Sequence, residues 1–90
     1  MKAIRFVISG IVQGVGFRAF AVHAARSRGV TGWVRNLPDG RVESLAEGEP
    51  AALDLFRDDL TQGPPGARVR DIEEVEEPIA GGFRGFDIAW

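Results

Sequence analysis

Lys2-Ala3-Ile4-Arg5-Phe6-Val7-Ile8-Ser9, then Gly10-Ile11-Val12-Gln13-Gly14-Val15-Gly16, then Phe17 onward to Arg28-Gly29: three consecutive stretches of the sequence decide the fold. In the first, Ala3, Arg5, Val7 and Ser9 alternate with Ile4, Phe6 and Ile8, the pattern of a half-buried strand. In the second, Gly10, Gly14 and Gly16 give a loop that can take up positive φ and turn its amides outward. In the third, the apolar spacing changes to that of a helix. Phe17, Phe20, Ala21, Ala24 and Ala25 share one face, Arg26 and Arg28 suit the negative end of the helix dipole, and Gly29 stops the run.

Working outward, residues 30–36 and 41–47 read as two strands joined by the turn Leu37-Pro38-Asp39-Gly40. A second helix fits residues 50–62, with Pro50 at its start, Leu53, Phe56 and Leu60 on one face, and Gly63-Pro64-Pro65-Gly66 to end it. Val69 and Ile72 fall on opposite faces of an ideal strand, so the segment 67–77 needs a bulge or is partly irregular. Phe83 to Trp90 reads as the last strand, with Phe86, Ile88 and Trp90 alternating. The order is β-α-β-β-α-β plus a closing strand. It predicts an α+β, ferredoxin-like sandwich in which two helices cover one face of an antiparallel sheet, in one domain over residues 1–90.

Composition narrows the chemistry. The chain has 90 residues, enough for one two-layer core, and is 44% hydrophobic and 27% charged, as expected of a globular domain. Eleven basic and thirteen acidic residues leave a net charge of −2, which argues against a nucleic-acid binder that relies on neutralising phosphates. Without cysteine there are no disulfides, thiolate metal sites or cysteine nucleophiles, and His23 alone cannot build a multi-histidine centre. The one lysine, Lys2, precedes the first apolar run, so no Walker-type phosphate loop exists. Phe6 to Val12 is too short, and too broken by Ser9 and Gly10, for a secretion signal or a membrane span, so a cytoplasmic protein is expected.

The stretch Gly10 to Arg18 is where a function can sit. Free N–H groups at a helix N-terminus attract anions, and Arg18 adds a planar, permanently charged fork. The plainer alternative is a tight turn packing strand against helix, with Arg18 in solvent. Gly14, Gly16 and Ala19 also satisfy the spacing of a dinucleotide fingerprint, but no acid follows at the end of the second strand and the chain is too short for two nucleotide-binding halves. Asn36 closes a strand before the turn; it is either a turn former or a carboxamide that can orient a water it cannot deprotonate. His23 lies away from Phe20 and Ala24, toward solvent, and Glu73, Glu74, Glu76 and Glu77 read as a solvated strand edge rather than a magnesium site.

Val12-Gln13-Gly14-Val15-Gly16-Phe17-Arg18 resembles the acylphosphatase signature V-Q-G-V-x-F-R, and Gly32-Trp33-Val34-Arg35-Asn36 with the turn that follows resembles that family's second motif. Gly63-Pro64-Pro65-Gly66-Ala67-Arg68-Val69 is similar to the family's stretch after its second helix. The resemblance runs through essentially the whole chain. It implies a monomeric hydrolase that converts a small acyl phosphate to a carboxylate and phosphate with no metal or cofactor. By the same resemblance Arg18 binds the phosphoryl group, Asn36 positions the attacking water, and the loop Val12, Gln13, Gly14, Val15, Gly16 and Phe17 surrounds the phosphate oxygens. Two other functions share the fold. One is a phosphate- or carbamoyl-phosphate-binding domain of a larger enzyme. The other is an RNA-recognition module, which Arg84-Gly85-Phe86 imitates in the wrong strand.

Overall fold

Strand, glycine loop and helix follow one another where the apolar period changes. In the computed structural model, which describes residues 1–90, β1 spans Lys2–Ile11 and α1 spans Phe17–Arg28. Gly29 caps α1 in the left-handed conformation, its amide donating to the Ala25 and Arg26 carbonyls. Then come β2 (Thr31–Asn36), β3 (Val42–Gly48), α2 (Pro50–Gln62), β4 (Arg68–Glu77) and β5 (Phe86–Ile88). The second helix has the bounds its sequence predicts, because Pro50 suits the first helical turn and Gly63 ends the last.

The sheet order is β4-β1-β3-β2-β5. β1 pairs antiparallel with both β3 and β4, and β3 pairs antiparallel with β2, so β1 and β2 run in the same direction and end at the same edge. α1 packs over β2 and β5, and α2 over β4, β1 and β3. The core between the layers holds Phe6, Ile8, Phe17, Val34, Phe56 and Phe86, all essentially without exposed surface. Phe56 meets Phe6 and Phe86 edge to face, with ring centroids 5.9 Å and 5.5 Å apart. On the other face of β3, Glu43 is buried between Arg5 and Arg35; on the core face, between Val42 and Ala46, Ser44 Oγ donates to the Trp33 carbonyl at 2.9 Å.

The irregularity expected in strand four is a bulge. Ser9 pairs with Asp71 and Gly10 with Val69, so Arg70 is the unmatched residue and Val69 and Ile72 can both pack against the core.

Two expectations need correction. The final strand is not Phe83–Trp90 but only Phe86–Ile88. The residues before it lie across the open face instead, where the Ala80 and Gly81 amides donate to the buried Glu47 carboxylate at 2.8 Å and 3.3 Å. The sheet is also mixed rather than antiparallel, because β5 pairs parallel to β2. The cause is topological. β4 ends at the sheet edge away from the glycine loop, so a chain crossing there to the far side enters β5 in the direction of β2.

Candidate active site

The strand directions gather the expected residues at one end of the sheet. β1 ends there and leads into the glycine loop, β2 ends there at Asn36, β5 runs toward it with Trp90 just beyond, and α1 begins there.

The loop owes its shape to two glycines. Gly14 (φ 75°) and Gly16 (φ 76°) are both left-handed, and Gly16 is the N-cap of α1 with no side-chain cap over the first turn. No backbone amide from Val12 to Gly16 donates to another backbone group. Val12 and Phe17 anchor the two ends by burying their side chains in the core, so only their backbones can face a ligand. Gln13 fixes the middle. Its Nε2 donates to the Leu37 carbonyl at 2.8 Å and the Arg41 carbonyl at 3.0 Å, tying the loop to the β2–β3 turn. That turn is braced in its own right. Asp39 accepts from the Arg41 amide and guanidinium, and this backbone hydrogen bond above all holds its carboxyl below the usual carboxylate range.

Arg18 stands in the first turn of α1, half-buried, and is one of the few arginines without a carboxylate partner. Its guanidinium carbon lies 4.8 Å from the centroid of the Trp90 ring, a cation–π contact that restrains the side chain without neutralising it. Trp90 is held near Asn36 because the Ala89 amide donates to the Val34 carbonyl at 2.8 Å. Asn36 Oδ1 is the one buried side-chain polar atom with no hydrogen-bond partner. A buried acceptor left unpaired costs about 1–3 kcal/mol, so a turn-forming asparagine would be expected to use it. His23 is exposed, as its helical position predicts, and no three His, Asp or Glu side chains are grouped to hold a metal ion.

Two features escaped the sequence reading. Period-two alternation suggests that Trp90 faces the core like Phe86; it is 93% exposed and lies against Arg18. The Gln13 side chain gives no local sign that it bonds carbonyls across the β2–β3 turn.

Comparison with known proteins shows the family. The family model described as acylphosphatase matches residues 4–88. An acylphosphatase of Rubrobacter xylanophilus is 52% identical over 87 residues, covering 97% of this chain and 79% of the relative. The crystal structure of acylphosphatase from Bacillus subtilis superposes with a TM-score of 0.96 at 42% identity, each chain covered in full. The HypF of T. kodakarensis contains a similar unit, at 38% identity and a TM-score of 0.87, which covers all of this chain and 12% of that one. The chain belongs to the acylphosphatase family and is a hydrolase acting on acid anhydrides.

Proposed function

We propose that the protein hydrolyses acyl phosphates by direct attack of water on phosphorus, with Arg18 and the loop amides holding the phosphoryl group and Asn36 orienting the water. The observation that carries this reading is the unpaired, buried Asn36 Oδ1 at the same sheet end as Arg18 and the open loop amides. An isolated acceptor takes one O–H of a water and so directs its lone pair. Arg18 supplies two fixed donors to phosphate oxygens, and the Gly14 and Gly16 conformations turn backbone N–H groups toward the others.

The chemistry asks for little more. The departing carboxylate has a conjugate acid of pKa about 4–5, so it leaves at neutral pH without a general acid. Phosphoryl transfer depends mainly on in-line positioning and charge stabilisation, which fixed donors provide. Asn36 cannot take the proton that the water loses, so a nonbridging oxygen of the phosphoryl group accepts it. The P–O bond to the carboxylate breaks, the new P–O bond comes from water, and the products are a carboxylate and dihydrogen phosphate. The donor set needs no metal ion, and the substrate is a small molecule. An alkyl phosphate, which must expel an alkoxide, is a poor substrate for such a site.

Asn36→Ala is expected to lower kcat by on the order of 10²-fold while leaving the inhibition constant of inorganic phosphate unchanged, because water orientation is lost and anion binding is not. Steady-state kinetics with phosphate as competitor checks this. Loss of phosphate inhibition with a normal kcat would show that Asn36 binds the anion instead.

A further inference from the structure

We propose that Gln13 is a positioning residue for the reaction, its side chain fixing the distance between the phosphate-holding loop and Asn36. This rests on the reading above, in which the loop and Arg18 hold the phosphoryl group and Asn36 orients the water. The two halves of that site come from strands that do not touch. In the sheet β3 lies between β1 and β2, so the strands that deliver the loop and Asn36 are about 9–10 Å apart. Ile8, Val42 and Asn36 stand in one row across the three strands, and the β1–β3 ladder ends with that row. From Ser9 to Ile11, β1 continues along β4 alone, past the bulge at Arg70, while β2 and β3 are joined by the turn at residues 37–41. The sheet backbone therefore leaves loop and turn unconnected.

Gln13 closes that gap. Its Nε2 group makes the only hydrogen bonds between residues 9–18 and the turn, donating to the Leu37 carbonyl at 2.8 Å and the Arg41 carbonyl at 3.0 Å. A carboxamide suits the position because its nitrogen carries two N–H donors, one for each carbonyl, and no charge to bury. The turn itself is closed without Gln13. The Leu37 amide donates to the Arg41 carbonyl at 2.8 Å, and the Gly40 amide donates to the Leu37 carbonyl at 3.2 Å. Asn36 directly precedes this braced unit. On the loop side, Gln13 sits between Val12, buried in the core, and the left-handed Gly14, in a loop whose amides donate to no backbone group. Removing the Gln13 donors would free the loop to shift against Asn36. Each carbonyl would keep one backbone donor, so neither element should unfold.

The test is a double-mutant cycle on benzoyl phosphate hydrolysis with Gln13→Leu, Asn36→Ala and the pair. Leucine keeps the bulk of the side chain and loses both donors. The kcat of Gln13→Leu is expected to fall by about tenfold or more, since a misplacement near 1 Å at a reacting centre can cost ~10²-fold. The inhibition constant of inorganic phosphate should stay close to the wild-type value, because the loop amides and Arg18 belong to one continuous segment. In the Asn36→Ala background the same substitution should cost nothing further, the non-additivity of a residue that acts through another. An equal fall in both backgrounds, an unchanged kcat in Gln13→Leu, or a loss confined to phosphate affinity would overturn the assignment of Gln13 alone. A normal kcat in Asn36→Ala would overturn the reading of Asn36, and the role of Gln13 with it. A second measurement, on the unaltered protein, does not depend on any variant folding. In hydrogen exchange followed by NMR, the Gln13 Nε2 protons should exchange far more slowly than those of Gln62, the other glutamine, exposed at the end of α2. Equal exchange rates would show the Gln13 side chain to be free, and would likewise overturn the inference.

Discussion

Arg18→Ala is expected to lower kcat/KM by on the order of 10²–10³-fold and to abolish inhibition by inorganic phosphate. On the proposed mechanism the loss appears in both binding and turnover, because the guanidinium would contact the phosphoryl group before and during the reaction. Arg18 is well placed to show so large an effect. It is half-buried, has no carboxylate to share its charge, and lies with its guanidinium carbon 4.8 Å from the centroid of the Trp90 ring. Lysine in its place keeps the charge but loses the fork, so Arg18→Lys should recover only part of the activity. Kinetics on the purified variants, with circular dichroism to confirm the fold, decides the matter. An Arg18→Ala enzyme with near-normal kcat/KM would remove the arginine from the site.

The largest effect on stability is expected at Gly32. This residue lies in β2 with φ 136°, where L side chains are strained, and it pairs with Ala46 on one side and Phe86 on the other. A Cβ there would collide with the Leu45 carbonyl oxygen, a backbone atom that cannot rotate away. Gly32→Ala must push β2 from β3 as well as bear the strained φ, and should destabilise the protein by about 3 kcal/mol or more. For a domain of this size that is a fall in Tm of roughly 12–24 °C. Thermal denaturation followed by circular dichroism measures it. A change of under 2 °C would mean that the two strands separate far more easily than the packing implies. Because β2 also carries Asn36, surviving Gly32→Ala protein should show a lowered kcat as well.

Much of this was legible in the sequence, for identifiable reasons. The change of period at Phe17 marks α1 because the glycine loop and the Gly29 cap bound it, and Pro50 and Gly63 frame α2 in the same local way. The mismatch between Val69 and Ile72 announced a bulge, which falls at Arg70. The direction of β5 was not legible, since it depends on the sheet edge at which the chain crosses after β4 rather than on any local pattern. The same limit applied at the site. Arg18 and Asn36 stand out as candidates from their motifs, whereas Gln13 bonds carbonyls 24 and 28 residues away and Trp90 departs from the alternation that Phe86 and Ile88 begin. Gly32 can be read as part of a motif, but the carbonyl that makes glycine necessary belongs to the neighbouring strand.

On the proposed mechanism, water attacks phosphorus at a site made of an arginine, an asparagine and backbone amides. That mechanism is tested most directly by letting the wild type hydrolyse benzoyl phosphate in ¹⁸O-enriched water containing EDTA, and locating the label by mass spectrometry. The expected result is turnover undiminished by the chelator, with ¹⁸O in the inorganic phosphate and none in the benzoate. Label in the benzoate would place the attack at the acyl carbon, where Arg18 and Asn36 have no role as described. Turnover that stops in EDTA would show that the protein groups alone do not suffice.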